Sequence, residues 1–513
     1  MPIRRPSVVV PVVLVAAALA VAACTVDDDA APSPSASSGS PSPSPTPLAA
    51  RLTVPEAPVT VLPAATPESA ALDVVRALVE HAPVVLVADA ADAAAQEAAV
   101  GQSARLGAPV LLTGPGAPPD ALAAELDRLG TRWVVVAGAA SPPDVDGATV
   151  VALVDAADLP RTAPPEPLDG TVLLTGVTAP LAVAAADAAL AGVAVVDVPG
   201  GDPRATSGAV RALAERRPAH VLALGEAFGP PERLATRVAT AATGVELPGG
   251  GQLVFPAVPG LPGKRYVALY GTPGTAALGV LGEQDVPATI ARAQAHADGY
   301  RALTGDTVVP TVEIIATIAS AGAGPDGNYS QERSVEELRP LVEAAGAAGQ
   351  TVVLDLQPGR TDFVTQAQLY ADLLALPHVG LALDPEWRLA PDQVHLRQIG
   401  SVGVDEVNAV AAWLADFTAR RALPQKMLVL HQFSLRMIQG RERLDTSRDE
   451  LAVLIHADGQ GTQPAKAGTW QALRAGAPAV HWGWKNFYDE DVPMLDPVQT
   501  YAVQPVPDLV TYQ

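Results

Sequence analysis

The stretch Thr351-Val-Val-Leu-Asp-Leu-Gln357, the helix-forming run 363–376, and Val379-Gly-Leu-Ala-Leu-Asp384 read together as one strand–helix–strand step. Both strands are nearly continuous in aliphatic residues, as strands covered on both faces are. A helix between them makes the pairing parallel, because parallel strands need a crossover connection. Each strand ends in polar residues: Asp355 and Gln357 in one, Asp384 and Glu386 in the other.

The same step repeats on either side. Strands are expected at 266–270, 311–318, 426–431, 451–456 and 477–482. Helices are expected at 284–303, 334–348 (opened by a capping Ser334), 405–421 and 465–475. That makes seven β/α units within 263–513, about the size of a (β/α)₈ barrel. No eighth strand stands out, so a seven-stranded barrel and an open doubly wound sheet stay as alternatives. The expected fold class is α/β, with this TIM-barrel-like domain preceded by two Rossmann-like parallel α/β repeats.

Those repeats occupy 51–230. Val84-Val-Leu-Val-Ala, Pro109-Val-Leu-Leu-Thr and Trp133-Val-Val-Val-Ala-Gly138 are strands separated by Ala-rich helical segments. The pattern recurs at Thr171-Val-Leu-Leu-Thr, Gly192-Val-Ala-Val-Val-Asp197 and Val221-Leu-Ala-Leu-Gly225, roughly 85 to 88 residues on. Two units are expected, at 51–140 and 150–230. A connector at 231–262, punctuated by Pro248-Gly-Gly-Gly251, Pro259-Gly260 and Pro262-Gly263, leads to the barrel. The run Leu106-Gly-Ala-Pro-Val-Leu-Leu-Thr113, then Leu129-Gly130 before a Val-rich strand, resembles the bacterial cell wall-binding repeat 2 family. The resemblance implies attachment to anionic cell-wall polymer.

The first residues read as an address. Arg4 and Arg5 precede an apolar stretch, 7–23, that is short for a membrane span and ends in small residues, as a secretory signal does. Val21-Ala-Ala-Cys24 resembles the lipobox of bacterial lipoproteins, which implies lipidation of Cys24 and an extracytoplasmic, membrane-anchored location. The Ser/Pro-rich segment 25–50 cannot bury a core and is expected to be a disordered, extended spacer.

Polar residues gather at the expected strand ends: Glu313, Asp355 and Gln357, Asp384 and Glu386, His431 and Gln432, His456 and Asp458, His481 and Lys485. Barrel active sites are built at this end. Trp387, Trp482, Trp484, Phe487 and Tyr488 lie at or after strand ends, where flat apolar faces suit pyranose rings. The run Gly380-Leu-Ala-Leu-Asp384-Pro-Glu386-Trp387 resembles the end of strand four in chitinase-like (family 18) glycoside hydrolases, with Ala382 in place of their first Asp. The resemblance implies that Glu386 protonates the glycosidic oxygen and that Asp384 orients the substrate's N-acetyl group. Asp355, Gln357, Trp387, His431, Gln432, Asp458, His481, Trp482 and Trp484 are then the candidate substrate-binding residues. The alternatives are a non-catalytic wall-binding surface protein and a metal-dependent hydrolase in which His431, His456, Asp458 and His481 converge, with Asp384 as a further ligand.

Composition narrows the rest. Of 513 residues 49% are hydrophobic, enough for sizeable cores, and the net charge of -22 repels nucleic acid. One Cys leaves no intrachain disulfide and no Cys-based metal cluster. No dinucleotide fingerprint, phosphate loop or nucleophile elbow is present, and no cofactor is expected. Only Trp133, Phe228 and Phe255 are aromatic before Lys264. The chemistry is therefore expected in the barrel half, and the expected partners are cell-wall polysaccharide or peptidoglycan glycan, and a membrane through the lipid on Cys24.

Overall fold

The computed structural model describes residues 46–176 and 181–513. The signal, the lipobox and nearly all of the spacer fall outside them. Among the described residues no helix is long and apolar enough to cross a membrane.

The N-terminal half holds two four-stranded parallel sheets. In the first, the strand order is Val110–Thr113, Val84–Asp89, Trp133–Val136 and Thr149–Ala152. In the second it is Val59–Leu62, His220–Leu224, Thr171–Thr175 and Ala194–Asp197. The strand at Val59–Leu62 lies within the expected first unit, yet it pairs with His220–Leu224 of the second sheet. Thr149–Ala152, which falls outside the expected first unit, completes the first sheet instead. The two halves are thus laced together.

Helix Pro67–Leu78, opened by a Thr66/Ser69 capping box, buries Ala70, Val74 and Val75 in a cluster that also takes Leu111 from one sheet and Leu173 from the other. A buried hydrogen bond crosses the same boundary: the Val110 N–H donates to Asp187 Oδ1 at 2.7 Å. Helix Ala93–Leu106 ends at Gly107, whose φ of 61° satisfies a left-handed cap. A Cβ there would sit 2.1 Å from the Ala163 carbonyl oxygen, so the packing requires glycine.

The expected connector is only partly one. Pro231–Ala241 is a helix, with Leu234, Val238 and Ala241 packed on the second sheet. The following segment closes the bottom of the barrel. Leu247 and Val254 join the barrel-interior cluster, the Lys264 ammonium donates to the Leu253 carbonyl at 3.0 Å, and Tyr266 Oη donates to the Val254 carbonyl at 2.9 Å.

The C-terminal half is a closed barrel of eight parallel strands. In chain order they are Lys264–Gly271, Thr307–Ala319, Thr351–Leu356, Val379–Leu383, Lys426–Gln432, Leu451–Ala457, His481–Asn486 and Leu509–Tyr512. The last pairs with the first, Leu269 opposite Tyr512, and closes the ring. The eighth strand is the short Leu509-Val-Thr-Tyr512. Side chains alternate in and out. Ala268, Val353, Ala382, Val429 and Leu454 fill the lower interior. Leu269, Leu354, Leu381, Leu428 and Ile455 face the surrounding helices. Ser334 caps helix Val335–Ala347 as expected. The expected helix 363–376 is instead two pieces, Phe363–Leu369 and Ala371–Leu374, broken at Tyr370, whose hydroxyl is held by the Ala316 carbonyl at 2.7 Å.

The seventh strand starts later than the sequence suggests, at His481 rather than 477. His481 therefore sits at the bottom of the barrel, stacked on Phe255 with ring centroids 4.0 Å apart and 3.3 Å from Asp508. This end also faces the α/β half. There Asp449 takes ion pairs from Arg204, Arg233 and Arg237, and Asp202 shares Arg204 and Arg237.

Candidate active site at the barrel mouth

Every strand sends a polar side chain into the upper interior. Tyr270 comes from the first strand, Glu313 from the second and Asp355 from the third. Asp384 follows the fourth, His431 is the penultimate residue of the fifth, His456 comes from the sixth and Asp458 lies just past its end. Lys485 and Thr511 come from the last two. All are buried except Asp458, which is nearly so, with its side chain 8% exposed. A carbon on Gly483 would lie 2.4 Å from His456 Cδ2, so the missing side chain there makes room for the imidazole.

His431 is the hub. Its Nε2 lies 2.8 Å from Glu313 Oε1 and its Nδ1 lies 3.1 Å from Asp458 Oδ2. Burial opposes charge on this ring, but Glu313, Asp458 and Asp355 outweigh it and hold the imidazole's pKa well above its ordinary value. Lys485 Nζ sits 3.1 Å from Asp458 Oδ1 and 3.7 Å from the centre of the Tyr270 ring. Burial works against the Lys485 charge too, and Asp458 leads the carboxylates that overcome it. Tyr270 Oη donates to Asp355 Oδ2 at 2.8 Å, and Gln357 Nε2 reaches Tyr270 Oη at 3.4 Å. His456 Nε2 is 3.1 Å from Thr511 Oγ1.

Two internal cations thus face five carboxylates, and the carboxylates divide. Burial resists ionisation of Asp458, but Lys485 and then His431 hold its pKa below the usual carboxylate range. Burial first, then the charges of Glu386 and Asp355, push Asp384 well up. Burial and Glu313 raise Asp355 to about 6 against the pull of His431. Glu386 is raised to about 7 by burial and by the charge of Asp458. Carboxylates pushed apart in this way are the usual basis of an acid/base division of labour.

Glu386 stands on the short turn Pro385–Trp387 that follows the fourth strand. It borders a cleft of about 440 Å³ together with Asp384, Asp458, Lys485, Gln357 and Tyr270, and with the aromatic faces of Trp387, Phe433 and Phe487. Of the candidate residues, Asp384, Glu386, Gln357, Trp387 and Asp458 meet in this cleft, with Asp355 and His431 buried beside it. Four others are elsewhere. His481 is at the opposite end. Trp482 and Trp484 point outward against Trp470, with centroids 5.7 and 5.6 Å away, because alternate residues of that strand face the helices. Gln432 also faces outward, where Arg441 donates to its Oε1 at 3.0 Å. The convergence of histidines is therefore reduced to His431 and His456, with Asp458. Tyr270 and Thr511 join the site without having been expected there. Tyr270 carries a signal, since it is four positions after the inward-facing Tyr266; Thr511 carries none without its strand.

No family model matches the chain, and no curated protein matches it. Among solved structures, Cwp6 from Clostridium difficile aligns at 12% identity with a TM-score of 0.30, over 58% of this chain and 63% of that one. The chain thus spans less than two thirds of that protein's length.

Proposed function

We propose that the protein is an exported, lipid-anchored surface protein whose α/β half associates with cell-wall polymer and whose barrel hydrolyses glycosidic bonds. The observation that carries the enzymatic part is Glu386: a carboxyl with a pKa of about 7, in a cleft lined by aromatic faces and hydroxyl-binding side chains. A group titrating near neutrality is suited to deliver a proton at working pH.

In the proposed reaction Glu386 gives its proton to the glycosidic oxygen as the bond to the anomeric carbon breaks. The substrate's own acetamido oxygen attacks that carbon, and Asp384, kept neutral by burial, holds the acetamido group by a hydrogen bond. Water then attacks the anomeric carbon and displaces the acetamido oxygen from it, giving up one proton to Glu386. Trp387, Phe433 and Phe487 give sugar rings flat surfaces. The anchoring and wall-binding parts rest on the lipobox-like Val21-Ala-Ala-Cys24 and on the repeat motif around Leu106–Thr113.

The test incubates the purified chain and its Glu386→Gln variant with N-acetylglucosamine oligomers and peptidoglycan fragments. Loss of one general acid is expected to slow turnover by roughly 10²–10⁴-fold. Binding without turnover by the wild-type chain would leave a purely adhesive protein and overturn the enzymatic reading.

A further inference from the structure

At the cleft floor lies a group of ligand atoms to which the proposed reaction assigns no step. His431, His456 and Asp458 each place one ligand atom within 4.8 Å of the others. Both histidines are fully buried. Among the described residues His456 Nδ1 has no hydrogen-bond partner, and neither do Glu313 Oε2, Asp355 Oδ1 or Asp384 Oδ1, all of them buried. Leaving such groups unpaired is costly, and natural interiors rarely do so without a ligand, a water or an ion. The charge count points the same way. With Asp384 and Glu386 protonated, as in the proposed reaction, Glu313, Asp355 and Asp458 still outnumber Lys485 and His431.

We propose that His431, His456 and Asp458 hold one divalent transition-metal cation under the mouth of the barrel. Each histidine already has its outer partner. Glu313 takes the Nε2 side of His431 at 2.8 Å, and Thr511 Oγ1 takes the Nε2 side of His456 at 3.1 Å. That leaves Nδ1 of each ring as the coordinating atom, with a carboxylate or hydroxyl behind it fixing the tautomer, as behind most metal-binding histidines. The 3.1 Å between His431 Nδ1 and Asp458 Oδ2 is close to the ~3.3 Å edge of a tetrahedron with metal–ligand bonds near 2.0 Å. The cation replaces the proton between those two atoms. Lys485 approaches the other carboxylate oxygen, Oδ1, and leaves Oδ2 free for this role. Two imidazoles and one carboxylate favour a borderline cation such as Zn²⁺ or Co²⁺ over Mg²⁺ or Ca²⁺, which prefer all-oxygen sites.

The test uses the full chain, stripped with chelator and dialysed against Zn²⁺, with metal content and calorimetric binding as readouts. One Zn²⁺ per chain is expected, with affinity at least tenfold weaker in His456→Ala and in Asp458→Asn, and unchanged in His220→Gln, which is remote from the site. Mg²⁺ and Ca²⁺ should not compete. Co²⁺ loading should give the visible absorption of a low-symmetry nitrogen/oxygen site, and X-ray absorption should count two imidazoles. No retained metal, or equal binding by the site variants and wild type, overturns the proposal. If both site variants fail to fold, the spectra of the wild type decide, and a shell without imidazole overturns it. Because metal content and spectra need no substrate, the result is independent of whether the barrel hydrolyses glycans.

Discussion

Replacing Glu386 by Gln should stabilise the protein at neutral and alkaline pH but not in acid. The carboxyl's pKa rises from an ordinary 4.5 to about 7 on folding. Between those values the folded state binds a proton that the unfolded state has released, so stability falls as pH rises through this window. Below about 4.5 the group is protonated in both states and contributes nothing. Above about 7 the folded chain must ionise a buried carboxyl facing Asp458, and the penalty is complete. Each unit is worth ~1.36 kcal/mol, so the penalty at pH 8 approaches ~3 kcal/mol. The substituted amide carries no charge to desolvate and escapes it. The assay is urea denaturation of wild type and Glu386→Gln at pH 4.5 and pH 8, followed by fluorescence of the barrel tryptophans. Whatever the amide gains or loses in hydrogen bonds appears at both pH values and cancels in the difference. The variant should gain ~2–3 kcal/mol relative to wild type on going from pH 4.5 to pH 8. A difference below about 0.5 kcal/mol would mean that Glu386 ionises as an ordinary surface carboxylate, and the argument for a proton donor would fail with it.

Two further outcomes test the scaffold. Asp449→Ala should destabilise the chain by ~2 kcal/mol in chemical denaturation: it takes one of two carboxylate partners from Arg237 and Arg204, whose side chains are 13% and 6% exposed, and leaves both to Asp202 alone, while half-exposed Arg233 adds little. A double-mutant cycle with Arg237→Ala should show coupling above about 0.5 kcal/mol, and additivity would show the pair to be passive. Gly107→Ala should cost ~2–3 kcal/mol, combining a left-handed backbone with the clash against the Ala163 carbonyl; a thermal midpoint equal to wild type would show that this crossing is loose.

How far the sequence could be read depended on which residues carried the pattern. The strands at Thr351–Leu356, Val379–Leu383 and Lys426–Gln432 are aliphatic runs ending in polar residues, and both their existence and their ends were legible. The seventh strand defeats that rule. His481-Trp-Gly-Trp-Lys-Asn486 is polar and aromatic because one face meets the charged interior and the other meets Trp470. The apolar Ala477-Pro-Ala-Val480 before it looks more strand-like, and choosing it carries His481 to the wrong end of the barrel. The eighth strand, Leu509–Tyr512, is only four residues long, and pairing on both sides supplies the stability that its own sequence does not advertise. The site was legible as a set of strand-end carboxylates and histidines. It was not legible as a network, because which nitrogen meets which oxygen depends on the stagger of the closed sheet.

The strand at Val59–Leu62 has a kinetic consequence. Its partner, His220–Leu224, lies roughly 160 residues later in the chain. A chain emerging N-terminus first at ~5–20 residues per second must leave this segment unpaired for roughly 10–30 s. During that wait Val59-Thr-Val-Leu62 is a β-prone edge with no sheet to join, next to a first sheet that can already form. The order of synthesis therefore runs against the order of assembly. The second sheet can be completed only after most of the N-terminal half has been made, and a fragment beginning after Leu62 would leave His220–Leu224 as an exposed edge.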